Sequence, residues 1–382
     1  MRRKEFCRHC YFWSMKKELM KLTDYKTLGK SGLRVSPLSL GTMTFGEDWG
    51  WGSSPEAAAA LISRYTELGG NVIDTANVYT KGHSEKIIGE HLKKTALRRD
   101  SLVISSKFFC NMYPGDPNAG GTSRKAIIDS LENSLRRLQT DYIDIYWMHA
   151  FDPFTPIEET TSALNDIVRS GKVRYIGVSD TPAWKIAQAQ MMTEFRGWPS
   201  FIGLQLEYSL LERTVEGELI PMAQELGLGI MPWSPLKEGV LSGKYTRSNQ
   251  GEVQSGRNGS RLNPELSQQT YGIIDQLHVL AEAKESSPAA IALAWVMSRT
   301  GVTSTIVGAR TMEQLNQNLQ ALSVVLDPED VASLDRLTEP VLSFPIPFLR
   351  DGARHMAQAG ANINNKSSVV PDLLPEDLDD VY

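Results

Sequence analysis

The sequence predicts an α/β protein built as a single (β/α)8 barrel, with an N-terminal β-hairpin plug and an irregular C-terminal tail. Three observations lead there. Eight short runs rich in Val and Ile recur from Leu38 onward, and longer segments of helical period lie between them. Most of these runs are continuously apolar rather than alternating, the pattern of strands covered on both faces in a parallel sheet. No internal repeat or break in composition divides the 382 residues, so one closed barrel with extensions suits the chain better than two domains.

In chain order, residues 1–23 are expected to be an unstructured leader. Its Cys7 and Cys10 form a CxxC around His9, but no second Cys or His pair completes a four-ligand zinc site, and no metal site is expected. Arg8 and His9 break its apolar stretch, which makes it a poor signal peptide and leaves Met15 or Met20 as alternative starts. The barrel is expected over 24–338. Tyr25 to Ser36 reads as a hairpin turning at Gly-Lys-Ser-Gly, placed to plug the barrel bottom. The strands follow as LSLG at 38, NVIDT at 71, SLVISSK at 101, YIDIYWMH at 142, VRYIGVS at 173, FIGLQLEY at 201, LGIMPWS at 228 and TSTIVGA at 303.

Between them stand helix signals. Ser123 caps a helix with an apolar stripe of Ile127, Ile128, Leu131, Leu135 and Leu138. Thr155 and Pro156 form an N-cap and first position, with Gly171 as the stop. Thr311 and Gln314 form a capping box, and Asp327 with Pro328 opens a last helix through Leu337. Residues 237–262, rich in Gly, Ser and Asn, read as a long loop, and 339–382 as the tail.

Hydrophobic residues make up 41% and charged residues 22%, which excludes a disordered or membrane-spanning main body. A net charge of −5 argues against a nucleic-acid partner. Three cysteines fit a reducing, cytoplasmic setting without a disulfide framework.

Barrel chemistry sits where strands end. Asp74 closes the second strand, Lys107 the third, His149 the fourth, Ser179 the fifth, Gln205 the sixth, and Trp233 with Ser234 the seventh. Tyr79 lies five residues past Asp74 and can turn back over the same mouth. Lys107 would favour the tyrosine's phenolate and ease proton release, Asp74 would anchor Lys107, and His149 would donate to a carbonyl oxygen beside Tyr79. No Ser-His-Asp elbow, HExxH or GxGxxG after a strand is present, so hydrolase and Rossmann readings lack their signatures. Two loops suit phosphate instead: SPLKEGVLSGK, Ser234 to Lys244, and GARTMEQLNQN, Gly308 to Asn318 with Arg310.

These stretches resemble the aldo-keto reductases. The matching segments are GGNVIDTANVYTKGHSEKIIGEHL, VISSK, SLRRLQTDYIDIYWMH, GKVRYIGVSD, QLEYSLLER, PWSPLKEGVLSGKY and TIVGARTMEQLNQNLQA, in family order. The resemblance is to the branch that includes aryl-alcohol dehydrogenases and potassium-channel β subunits. It implies NADPH as cofactor, a small carbonyl substrate, and Asp74, Tyr79, Lys107 and His149 as a catalytic tetrad with Tyr79 the acid. By position, Gly41, Thr42 and Asp74 border the cofactor. Ser179, Asp180 and Gln205 hold the nicotinamide carboxamide, and Trp233 stacks on its ring. Ser234, Pro235, Leu236, Gly239, Leu241 and Lys244 follow the pyrophosphate. Gly308, Arg310, Gln314, Gln317 and Asn318 surround the adenosine end and its 2′-phosphate. Asp180 stands where the family usually has Asn, and Gln314 where many members have Arg, which puts more of the phosphate grip on Arg310.

Aromatic residues in the strand-end loops are candidates for substrate walls: Trp49 and Trp51 after the first strand, Phe108, Phe109 and Tyr113 after the third, Phe151 and Phe154 after the fourth. Two other readings are a cofactor-binding regulatory protein like the channel β subunits, and a Schiff-base aldolase using Lys107.

Overall fold

The computed structural model describes residues 19–249 and 266–374. The CxxC of the leader, residues 250–262 of the long loop and the last residues of the tail lie outside the described residues. All eight expected strands form: β3 (Leu38–Gly41), β4 (Val72–Asp74), β5 (Val103–Phe108), β6 (Ile143–Met148), β7 (Val173–Ser179), β8 (Phe201–Glu207), β9 (Gly229–Trp233) and β10 (Thr305–Gly308). They follow the hairpin strands β1 (Lys26–Thr27) and β2 (Arg34–Val35). Neighbours pair in parallel in chain order, and β10 returns to β3 from Thr305 opposite Leu38 to Gly308 opposite Gly41. Between β9 and β10 the joint is a bridge at Ile230 and Val302, which nearly closes the barrel.

Side chains alternate across each strand, so every second residue turns inward. Val72, Val103, Ile145, Trp147 and Met231 gather in an inner cluster with Leu28 and Val35 of the hairpin. Ile73, Ile104, Tyr146, Met148, Val178 and Leu204 belong to the larger core beneath the helices. Trp147 and Trp295 are the largest fully buried side chains among the described residues, and two neighbouring strands make room for Trp147 with glycine. A Cβ at Gly177 would lie 2.1 Å from the Trp147 ring, and one at Gly203 2.9 Å away. The hairpin closes the bottom by close backbone approach. Lys30 N donates to the Gly227 carbonyl at 2.8 Å, and Gly29, at φ 55°, leaves no space for a side chain beside the Ile202 carbonyl.

The helices before the tail are α1 (Pro55–Glu67), α2 (His83–Lys94), α3 (Arg124–Leu138), α4 (Ile157–Arg169), α5 (Ala183–Arg196), α6 (Leu219–Leu226), α7 (Gln268–Ala283), α8 (Pro288–Met297), α9 (Met312–Leu319) and α10 (Pro328–Leu337), and the tail adds the short α11 (Ile346–Phe348) and α12 (Arg354–Gln358) among its described residues. Ser123 caps α3 by accepting from Ala126 N, and Ile127, Leu131, Leu135 and Leu138 are buried as expected. Ile128 is not: one step round the helix from Ile127, it is 37% exposed. The start of α4 also shifts. Pro156 occupies the N-cap position, and the Thr155 hydroxyl donates to Asp152 Oδ2 at 2.7 Å instead of capping. Thr311 caps α9, but the Gln314 side chain reaches past it and accepts from Arg310 N at 2.8 Å. Helix α8 had no counterpart in the sequence pattern, because every residue from Ala289 to Met297 is buried and no polar face marks a period. Among the described residues no helix is long and apolar enough to cross a membrane.

Replacing Gly177 with alanine should force a methyl group into the Trp147 ring and destabilise the barrel by about 1–3 kcal/mol. A urea midpoint equal to that of the wild type would show that the ring has freedom to move.

Candidate active site

Asp74 ends β4, Lys107 is the next-to-last residue of β5, and His149 follows β6 directly. Parallel register brings these positions to one mouth, with Asp74 opposite Ser105 and Lys107 opposite Trp147. Asp74 and Lys107 are 2% and 1% exposed. Lys107 Nζ donates to Asp74 Oδ2 at 2.5 Å, to the Thr75 carbonyl at 2.8 Å and to Tyr79 Oη at 3.2 Å. An ammonium has three N–H donors, and all three are engaged. Asp74 Oδ1 in turn accepts from Ser105 Oγ at 2.6 Å and Gln205 Nε2 at 2.8 Å. The pair therefore meets the condition for burying charge: each partner is both neutralised and hydrogen-bonded.

Burial opposes the Lys107 ammonium, but Asp74 and Tyr79 outweigh it and hold the lysine above its ordinary range. For Tyr79 the balance falls the other way. Burial pushes the phenol up, and the pull of the Lys107 charge recovers only part of that rise. Lys107 does favour the phenolate, as expected, but burial outweighs it, and Tyr79 keeps its proton at neutral pH. Because Tyr79 Oη accepts from Lys107, its own O–H remains free to be donated. Burial, reinforced by the Lys107 charge, drives the His149 imidazole down to about 3, so it is neutral near pH 7. Its ring meets Tyr79 edge-on at 6.1 Å between centroids, and Nδ1 lies 3.9 Å from Cys110 Sγ.

A tight loop turns Tyr79 back over this centre. Thr80 and Lys81 adopt the left-handed region at φ 47° and 58°. Thr80 Oγ1 donates to the Phe45 carbonyl at 2.6 Å and accepts from Ser84 N at 3.0 Å, which holds the strained turn in place.

The expected cofactor residues line the mouth from β7 round to β10. Ser179 is buried at the end of β7, and Asp180, at φ 41°, accepts from Trp233 Nε1 at 3.1 Å. Gln205 stands among them, but its amide nitrogen is engaged by Asp74. After β9, Ser234, Lys237, Glu238, Gly239 and Gly243 all take positive φ, a repeatedly left-handed path of the kind that forms concave anion seats. Lys244 ends this path exposed, whereas Lys237 pairs with Glu207. Pro235 and Leu241 are buried, and Leu236 packs against the core, so these three offer backbone more than side chain. At the end of β10, a Cβ on Gly308 would meet nothing within 4 Å. Asn318 Nδ2 donates to the Gly308 carbonyl at 3.0 Å, and Gln314 holds Arg310 N, so both amides brace the loop itself. Gln317 is exposed, with its amide on Glu313. Gly41 and Thr42 are buried, and the Thr42 hydroxyl donates to the Asp74 carbonyl at 3.0 Å.

The sequence pattern of the aldo/keto reductase family matches residues 37–339. The chain belongs to that family. An uncharacterized oxidoreductase, YrpG, of Bacillus subtilis is 38% identical to this aldo/keto reductase over 321 residues, covering 82% of this chain and 95% of its own. An aryl-alcohol dehydrogenase of Pestalotiopsis microspora is 36% identical over 341 residues, 87% of this chain and 86% of its own. A norsolorinic acid reductase of Aspergillus flavus is 34% identical over 327 residues, 84% and 82% respectively. This aldo/keto reductase is therefore an oxidoreductase of the aryl-alcohol dehydrogenase-like branch, a family that uses a nicotinamide cofactor on small carbonyl compounds.

Its substrate rim differs from the expectation at Phe108, Phe154 and Tyr113. Phe108 is fully buried and packs on Tyr146 at 5.0 Å between centroids, under the helix layer. It follows Lys107, so strand alternation turns it outward as Lys107 turns inward. Trp49 and Trp51 pack together at 5.6 Å after β3, and Phe151 lies at the rim beside Trp184. Phe154 is 93% exposed and Tyr113 56%, which suits solvent contact more than a wall. Ser105, Thr80, Cys110 and Trp184 stand at the site without having been among the residues expected there. Ser105 had a readable signal, since it lies two residues before Lys107 and so shares its face of β5.

His149 also makes stability depend on pH. Its folded pKa of about 3 lies below the ordinary 6.5, so the unfolded chain binds that proton first. This contribution is complete above pH 6.5 and declines as pH falls toward 3. Between pH 6.5 and about 4 the thermal midpoint of the wild type should fall more steeply than that of His149→Gln; parallel curves would contradict the buried neutral imidazole.

Proposed function

We propose that this chain reduces aldehydes or ketones to alcohols with NADPH, with Tyr79 as general acid, and that residues 24–338 form the reacting unit. The observation that carries this reading is the Tyr79 hydroxyl: its oxygen is tied to the Lys107 ammonium while its proton is left to donate. A nicotinamide dinucleotide fits the residues present. The left-handed path after β9 and the open space at Gly308 leave room for phosphates, with Lys244 and Arg310 beside them. Ser179, Asp180, Gln205 and Trp233 would face the nicotinamide end. When bound, the cofactor would supply a hydride for the carbonyl carbon.

The chain's own residues handle the oxygen. Negative charge grows on that oxygen as the carbon is reduced, and a proton held at hydrogen-bond distance lowers the barrier. Tyr79 gives that proton, and the Lys107 ammonium stabilises the phenolate left behind. His149, neutral, donates a hydrogen bond to the same oxygen without adding a competing charge. Asp74 keeps Lys107 charged and fixed. The same saturation counts against a Schiff-base aldolase, because a buried ammonium with three acceptors has no lone pair to offer.

A panel of aryl and alkyl aldehydes followed by NADPH absorbance tests the activity, and no turnover of any member would count against it. Tyr79→Phe should lower kcat by about 10²- to 10⁴-fold or more while NADPH binding is unchanged; near wild-type turnover would move the acid to His149. Arg310→Ala should weaken NADPH about tenfold, or about 1.4 kcal/mol, and leave NADH nearly unaffected. Equal losses for both cofactors would remove Arg310 from the 2′-phosphate.

A further inference from the structure

The rim carries a cation that this reaction does not use. Phe151, two residues past His149, meets Trp184 edge-on at 6.4 Å between centroids. Lys185 Nζ lies 4.4 Å from the Trp184 ring centre and 5.7 Å from that of Phe151. Trp184 and Lys185 stand in the first turn of α5, just after β7 ends, and therefore on the carboxyl face of the barrel. Backbone and side-chain bonds tie them to the site. Phe151 N donates to the Asp180 carbonyl at 3.4 Å, and Asp180 Oδ1 accepts from Trp233 Nε1 at 3.1 Å. Trp233, Asp180, Phe151 and Trp184 thus make one connected wall running outward from the Tyr79–His149 centre.

Lys185 is underused on that wall. Its ammonium donates to Gln188 Oε1 at 2.9 Å and pairs with no carboxylate among the described residues. Two of its three donors are left over. The wall has two carboxylates of its own, and both are otherwise engaged. Asp180 is held by Trp233, while Asp152 accepts from Thr122 N, Phe154 N and the Thr155 hydroxyl. The aromatic faces hold the ammonium in position through their negative quadrupoles, so a pairing charge meets a cation already placed.

We propose that this rim selects aromatic carbonyl compounds bearing a carboxylate remote from the reacting carbonyl. Lys185 is the counter-charge, and Phe151 and Trp184, set edge to face, form the apolar corner the ring lies in. The proposal rests on the reductase reading above.

The test compares 4-formylbenzoate with its methyl ester, which keeps the ring and most of the bulk but removes the charge. The wild type should favour the acid in kcat/KM by about tenfold, or about 1.4 kcal/mol. Lys185→Met should bring that ratio within about twofold of unity, with the change in KM rather than kcat, and Lys185→Arg should retain most of the preference. A wild type indifferent to the charge, a Lys185→Met ratio equal to the wild type's, or a loss confined to kcat would overturn the assignment. If neither aldehyde is reduced, it is the reductase reading that fails. Binding of 4-formylbenzoate to the NADPH-loaded protein, read by tryptophan fluorescence, then decides on Lys185: a Kd about tenfold higher in Lys185→Met supports it, and an unchanged Kd refutes it.

Discussion

The buried pair of Asp74 and Lys107 is the constraint on which the rest of the site depends. Placing an ammonium in the barrel interior is tolerable only when every donor has an acceptor. That requirement fixes the end of β4, the carbonyl of Thr75 and the hydroxyl of Tyr79 around one nitrogen. It also recruits Ser105 and Gln205 to the far oxygen of Asp74, so three strands and one loop meet at a single ion pair. Tyr79 is oriented as a consequence: its position follows from being the third acceptor of an ammonium that has nowhere else to turn.

A second buried acidic side chain, Glu85 of α2, lies against the other face of β5. Ser106, between Ser105 and Lys107, donates to Glu85 Oε1 at 2.5 Å, and Arg137 Nε donates to Glu85 Oε2 at 2.6 Å. Glu85 is fully buried, so the outer face of β5 is tied to α2 and α3 by the same logic that ties its inner face to β4. A strand anchored from both sides can slide very little, because a one-residue slip would exchange Lys107 for Phe108 in the interior.

Much of this was legible before any coordinates, and the failures share a cause. Strands covered on both faces announce themselves as unbroken apolar runs, and residues at their carboxyl ends must share a mouth. Asp74, Lys107 and His149 could therefore be placed together from spacing alone. Which of two adjacent residues faces inward is harder. Lys107 and Phe108 sit at the same strand end, and only the register decides that one enters the site and the other the helix layer. The protonation of Tyr79 was legible in part: sequence displays the neighbouring charge, which does favour the phenolate, but not the extent of burial, which here is the larger effect. Helix α8 escaped notice because it is buried all round, and a helix without a wet side has no period to detect. Thr155 and Gln314 each carried the right chemistry for a cap and used it on a neighbour one position or more away.

The plugged bottom of the barrel has a consequence for traffic. With the hairpin pressed against Gly227 and Gly229 and the Trp147 ring filling the interior below Lys107, the strand ends offer a single doorway. Two molecules that must meet there cannot arrive from opposite sides. A sealed floor thereby makes any pair of guests the mouth receives share one entrance.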